Sequence, residues 1–145
     1  MRFGILGDAK ISRNQIIPAM QENGFSLVHL GTREPKRPKS LEHYGFSKIG
    51  RYDDVLSNPE VEAVYIPLPN HLHAEWSIKA LNAGKHVLCE KPMALSLSEI
   101  DAVEKAAKLS NCYFQEAFMV RSHPQWEWLK KIEIGDALHL SLIHI

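Results

Sequence analysis

Short apolar runs alternate with segments of helical period along almost the whole chain, and this alternation restricts the possible folds most. Strand-length runs occupy residues 2–6, 26–31, 63–67, 86–90 and 112–116, with a weaker one at 48–50. Between them, residues 12–23, 38–44, 72–83, 98–109 and 124–132 carry the apolar spacing of helices. A strand that returns through a helix lies parallel to the strand before it, with helices left to cover the faces of the sheet. The expected fold class is therefore α/β, a doubly wound and mostly parallel sheet. The 145 residues, 45% of them hydrophobic, suffice for one ordinary domain with a buried core.

Local chemistry predicts where the elements end. Ser12 with Gln15, and Ser96 with Glu99, have the capping-box spacing, in which each partner satisfies an otherwise orphaned N–H. Gly24 and Gly84 fall where a helix should stop, because a left-handed terminating residue costs glycine little. Pro18 removes a ladder bond inside the first helix and predicts a kink or a tight first turn. Cys89 and Cys112 have neither metal-knuckle nor redox spacing and read as reduced core cysteines, with no metal site. Trp76, Trp126 and Trp128 read as packing residues.

Charge narrows the partners. Lys plus Arg equal Asp plus Glu at 17 each, so the broad basic field used in non-specific nucleic-acid binding is lacking, and an anionic ligand must be held by a local site. No apolar run approaches a membrane span, and the N-terminus enters a strand pattern rather than a leader. The expectation is a cytoplasmic protein with no nucleic-acid or membrane partner.

The first strand runs into Gly7, Asp8, Ala9, Lys10 and Ile11 and then into a helix, which is where a dinucleotide pyrophosphate sits in folds of this kind. Gly7 suits the tight turn. Ala9 and Ser12 stand where the second and third glycines of G-x-G-x-x-G would fall, so the fingerprint is incomplete, and the Asp8 carboxylate beside phosphate is unfavourable unless it points to solvent. An ordinary strand-to-helix turn is the plain alternative. The second strand ends in Gly31-Thr32-Arg33, where enzymes using NAD usually place an acid for the ribose hydroxyls and those using NADP leave room for an arginine. Arg33 on a 2′-phosphate would contribute roughly 1.5 to 3 kcal/mol, which predicts NADP, with NAD as the alternative. Thr32 adds a hydroxyl and Lys36 and Arg37 add positive field, while Glu34 argues the other way.

Two further strand ends carry polar residues. Pro67-Leu68-Pro69-Asn70-His71-Leu72-His73 follows a buried-type strand, and its two flanking prolines stiffen a loop that offers Asn70, His71 and His73 to the crevice. The next strand ends in Glu90-Lys91-Pro92. Together with Gly4-Ile5-Leu6-Gly7, the stretch Ala83-Gly84-Lys85-His86-Val87-Leu88-Cys89 before Glu90, and Glu116-Ala117-Phe118-Met119 followed by Arg121-Ser122-His123-Pro124-Gln125, these segments resemble successive motifs of the Gfo/Idh/MocA oxidoreductase family, in family order over nearly all of residues 1–139. The branch most similar is that of dihydrodiol dehydrogenases and NADP-dependent aldose (xylose) dehydrogenases.

The resemblance implies a Rossmann NAD(P)-binding fold over residues 1–120, with residues 121–145 as the connecting helix and first strand of a second, α+β substrate domain that the chain does not complete. It implies hydride transfer between NADP and a CH–OH group of a sugar or cyclic diol. Lys91 then matches a lysine that touches both cofactor and reacting hydroxyl, Glu90 a residue beside the nicotinamide ribose, and Pro92 a position that often has a cis peptide. Pro67, Asn70, His73 and Glu116 fall on the nicotinamide side, while Arg121 and His123 border the substrate. The acid/base tyrosine of that branch belongs to the second domain, so the role is not given to Tyr44, Tyr52, Tyr65 or Tyr113, and the chain alone is expected to bind cofactor better than it turns over substrate. A homo-oligomer is expected for the full-length parent. Residues 140–145 also resemble the translation of a transposon-end sequencing adapter, which implies that they are not natural sequence. Two alternatives stay open: a family member that holds and recycles its nicotinamide, glycosidase-like, and a non-catalytic dinucleotide-binding module.

Overall fold

The structure, a computed structural model, describes residues 1–35, 44–129 and 131. Among the described residues, six parallel strands form one sheet: β1 (Arg2–Leu6), β2 (Ser26–Gly31), β3 (Lys48–Gly50), β4 (Ala63–Ile66), β5 (His86–Cys89) and β6 (Phe114–Glu116). Their order is β3-β2-β1-β4-β5-β6. The chain thus winds outwards from β1 to one edge, crosses back to β4 and winds outwards to the other. Phe3 of β1 faces Ala63 of β4, and the N–H of Arg2 donates to the Glu62 carboxylate at 2.8 Å across a sequence separation of 60 residues.

Alternation along the strands divides the core in two. Phe3, Ile5, Ala63 and Tyr65 face one side of the sheet, where they meet Ile17 and Met20 of α1 (Ile17–Glu22). Leu6, Val64 and Ile66 face the other side, covered by α2 (Tyr52–Ser57), α3 (His73–Asn82) and α4 (Leu97–Ser110). Both faces of the central strands are buried, which is why these strands read as continuous apolar runs rather than alternating ones. Trp76 of α3 is buried and meets Tyr52 edge-on at 5.0 Å, as expected of a packing residue. A short helix α5 (Pro124–Leu129) follows β6; its Trp126 is half-buried and its Trp128 exposed.

Several expected ends occur as read. Gly24 and Gly84 adopt φ of +75° and +72° after α1 and α3. Ser96 Oγ accepts the Glu99 N–H at 3.3 Å, although the Glu99 carboxylate reaches back to the Leu95 N–H rather than to that of Ser96. The Ser12 capping box does not form. The helix starts at Lys10, so Ser12 already lies inside it, buried and with its hydroxyl unpartnered. The reason is Pro18: residues Ser12–Ile16 form a π-turn, in which the Ile17 N–H donates to Ser12 O, and the widened turn absorbs the ladder bond that proline cannot make. The irregularity is thus a wide turn rather than a tight one. The expected helix at 38–44, apart from Tyr44, lies outside the described residues, as do Lys36, Arg37 and the turn and strand expected after residue 133.

Candidate functional site

Strand order reverses between β1 and β4, and the loops leaving their carboxyl ends diverge to opposite faces, which opens a crevice at that edge of the sheet. A cleft of about 430 Å³ lies there, walled by the β1 turn (Gly7, Asp8, Ala9), the end of β2 (Thr32, Arg33, Glu34), Tyr52, and the stretch Pro67, Leu68, Pro69 and Leu72. Six of the residues expected to touch a cofactor therefore share one cleft: Gly7, Asp8, Ala9, Thr32, Arg33 and Pro67.

Gly7 makes the turn possible. Its φ is +118°, its N–H donates to Gly31 O at 2.9 Å, and a Cβ there would meet Leu68 Cδ2 at 3.0 Å. At the end of β2, Gly31 is equally confined, since a Cβ would meet Tyr52 Cδ1 and Val55 Cγ2 at 3.0 Å each. This close approach of α2 brings Tyr52 into the cleft beside Arg33. Burial raises the Tyr52 pKa while the Arg33 guanidinium opposes the rise. Thr32 is buried and its hydroxyl has no partner. The Asp8 carboxylate is turned onto Arg13 at 2.7 Å, a pairing that offsets the negative charge beside the turn. Lys10 and Ile11 form the first helical turn behind the loop and do not line the cleft.

Further along the same edge, Glu90 and Lys91 follow β5. Glu90 is buried and accepts a hydrogen bond from the Tyr65 hydroxyl at 2.7 Å; burial, then this carboxylate, pushes the Tyr65 pKa up. Lys91 is exposed, and the Lys91–Pro92 peptide is cis, as the motif implied. Glu116, at the end of β6, accepts the Met93 N–H at 2.8 Å and so braces the turn that carries Lys91. Burial pushes the Cys89 thiol up to about 12, which keeps it an inert core thiol; Cys112 is half-buried, and both cysteines are free.

The remaining expected residues divide. Asn70 is exposed in the turn before α3. His73 does not face the cleft: it is 1% exposed, and its Nε2 and Nδ1 lie 2.6 Å and 2.7 Å from Leu68 O and Pro92 O. Its expected contact with a cofactor is corrected on that ground, because both ring nitrogens are taken up inside the fold. Arg121 lies with Glu116, Met93 and Phe118 along a second groove of about 720 Å³ beside β6, separate from the first cleft. The exposed His123 accepts the Gln125 N–H through Nδ1 at 3.1 Å and so caps the start of α5. Glu34 and the Leu68-Pro69-Leu72 stretch line the cleft near where the sequence put them, whereas Tyr52 and the Asp8 partner Arg13 were not expected there; only the acidic pair Asp53-Asp54, suited to a helix start, hinted that α2 would carry Tyr52 to the cleft.

A parallel sheet of this order, with a glycine turn at the carboxyl end of its first strand opening onto a crevice, defines a dinucleotide-binding domain. Residues 1–118 match the family model described as an oxidoreductase family with an NAD-binding Rossmann fold, and the chain belongs to that family, Gfo/Idh/MocA. It is 43% identical over 143 residues to an uncharacterized oxidoreductase of Rhizobium meliloti, covering 94% of this chain and 43% of that protein. It is 40% identical over 129 residues to an NADP+ D-xylose 1-dehydrogenase of Haloferax volcanii, covering 88% of this chain and 40% of the other. A crystal structure of a 3-ketoreductase from Actinomadura kijaniata with NADP and TDP-benzene superposes with a TM-score of 0.84 at 34% identity, over 89% of this chain and 40% of that one. The chain thus spans about two fifths of the length of the relatives it matches.

Proposed function

We propose that this chain is the nucleotide-binding part of an oxidoreductase that moves a hydride between NADP and a CH–OH group of a sugar or cyclic diol. The observation that carries the reading is one cleft with the Gly7 turn on one wall and Arg33 on another. The residues present suit the cofactor. A Cβ at Gly7 would fill the approach to the turn, Thr32 offers an orphaned hydroxyl, and Arg33 is exposed and forms no ion pair among the described residues. Gly7, Asp8, Ala9, Lys10 and Ile11 would serve the pyrophosphate, Thr32 and Arg33 the ribose 2′-phosphate, and Pro67, Asn70, Glu90, Lys91 and Glu116 the nicotinamide side. When bound, NADP supplies the carbon that accepts or returns the hydride. The Lys91 ammonium would donate a hydrogen bond to the substrate oxygen and so ease the loss or gain of its proton, and Arg121 and His123 would border the substrate. Similarity to the xylose dehydrogenase supports a sugar substrate, and similarity to both it and the 3-ketoreductase supports NADP.

In this reading residues 1–120 are the nucleotide-binding domain and residues 121–145 begin a substrate domain. The partners are a polyol or sugar and further copies of the same protein, and the setting is the cytoplasm. Among the described residues no helix is long and apolar enough to cross a membrane.

Fluorescence titration of the purified chain with NADPH and NADH, after circular dichroism has established folding, tests the nucleotide reading. NADPH is expected to bind roughly ten- to a hundredfold more tightly, and Arg33→Asp to remove that preference while sparing NADH. Equal affinities in the wild type overturn the role of Arg33, and a folded chain that binds neither cofactor overturns the reading itself. In the complete enzyme, Lys91→Met is expected to abolish turnover and leave NADPH affinity nearly unchanged; near-normal turnover removes Lys91 from catalysis.

A further inference from the structure

The role that His73 takes instead of touching a ligand has chemical consequences. It is the first residue of α3, and its two nitrogens reach two carbonyls that belong to different turns of the crevice. Leu68 O, 2.6 Å from Nε2, lies in the turn after β4; Pro92 O, 2.7 Å from Nδ1, lies in the turn after β5 that carries Lys91. A neutral imidazole has one N–H and one lone pair, so it donates to one carbonyl and turns a lone pair towards the other. Both bonds form only when each nitrogen carries a proton, and bonds from such a ring are the stronger, charge-assisted kind.

We infer that His73 is a positioning residue whose doubly protonated ring ties the Leu68 turn to the Pro92 turn, and so sets the cleft wall against Lys91. The inference rests on the nucleotide reading for its effect on binding. Leu68 lines the cleft with its Cδ2 3.0 Å from where a Gly7 Cβ would be, so a shift of the Leu68 turn alters the space beside the Gly7 turn. Pro92 directly follows Lys91, and Met93 beyond it gives its N–H to Glu116 and packs against the core, so Pro92 O is a further anchor of that turn. A ring with a single N–H can donate to only one of the two turns.

The titratable groups on the elements packed around His73 include His71 in the turn before α3, Tyr65 of β4, His86 and Cys89 of β5 with Glu90 and Lys91 after it, Glu116 of β6, and the charged residues Glu99, Asp101, Glu104, Lys105 and Lys108 of α4. Glu90 is bound to Tyr65, and Glu116 to Met93. On α3 itself, Glu75 and Lys79 pair with each other at the surface, and α4 contributes the apolar Val103 and Ala106 to the shared core. Of these groups Glu90, Glu116, Glu75 and Lys79 are already engaged elsewhere, which leaves the two carbonyls to the ring.

The test follows the His73 ring nitrogens of the 15N-labelled chain by NMR from about pH 5 to about pH 9, together with amide exchange in residues 67–73 and 91–93 and NADPH affinity. Both nitrogens are expected to be protonated where the two turns are protected. NADPH affinity is expected to fall about tenfold as one proton leaves, and His73→Gln, with a donor at one end only, to bind like the deprotonated wild type at every pH. A ring with a single proton at a pH where both turns stay protected and NADPH binds at full strength overturns the inference. So does a folded His73→Gln chain that equals the wild type throughout. If the folded wild type binds no NADPH, the nucleotide reading fails, while ring protonation and exchange in the wild type still decide the tie.

Discussion

Gly7 bears more of the candidate site than any other single residue, because its positive φ, its hydrogen bond to Gly31 O and its closeness to Leu68 all forbid a side chain. Gly7→Ala is expected to cost about 1 to 3 kcal/mol in a denaturant titration and to weaken NADPH binding, since the methyl must displace either the backbone or Leu68. Unchanged affinity would mean that the turn has room the structure does not show. That residue was legible in the sequence, as was Arg33, because a glycine or an arginine directly after an apolar run has few other places to be. His73 was not. Its nearest partner, Leu68 O, is five residues away, but the other, Pro92 O, lies 19 residues on, and only the folded sheet brings that carbonyl to the ring. A histidine in a turn rich in proline looks like a ligand until the carbonyls that need it are seen.

Among the elements, α3 and α4 were readable to within a residue or so from their apolar spacing and end signals. The six-residue α2 escaped notice, being too short to establish a period, and with it went the place of Tyr52 in the cleft. The start of the first helix was misplaced for a different reason. Ser12 has the sequence of a cap, but the wide turn before Pro18 draws the helix start back to Lys10. One tie between elements also belongs here. The buried Lys85, just before β5, donates to Asn58 O at 2.9 Å and Val61 O at 2.8 Å, and so fastens that strand to the connection between α2 and β4; burial lowers its pKa. Lys85→Met leaves two carbonyls without their donor and is expected to destabilise the chain by about 2 to 3 kcal/mol. An unfolding midpoint equal to that of the wild type would show that water replaces the ammonium at no cost.

For the molecule as a whole, acid sensitivity has an identifiable source in β2. His29 is buried against Asn58, with 3.3 Å between Nδ1 and Nδ2, and burial lowers its pKa, Asp54 opposing the shift and Lys48 adding to it. The native chain therefore binds this proton less readily than the unfolded chain does. The stability that goes with the neutral ring is complete above the ordinary histidine pKa of 6.5 and is lost as pH falls through the lower native value. Urea midpoints measured at about pH 7.5 and about pH 5.5 are expected to drop in the wild type and to drop less in His29→Gln. An equal drop in both would place the sensitivity elsewhere among the eight histidines. The parallel sheet, the Rossmann fold and the family were all legible from the motifs, while the division of the polar residues between two separate grooves had to wait for the packing of β6 and the loop after it.

The pairing of β1 with β4, 60 residues apart, bears on how such a chain comes into being. On a ribosome the Gly7 turn emerges early and waits, because the opposite wall of its cleft is still to be translated. Contacts so distant in sequence are slow to form and come late. A nucleotide can therefore reward only chains already built through β4 and the Leu68 turn.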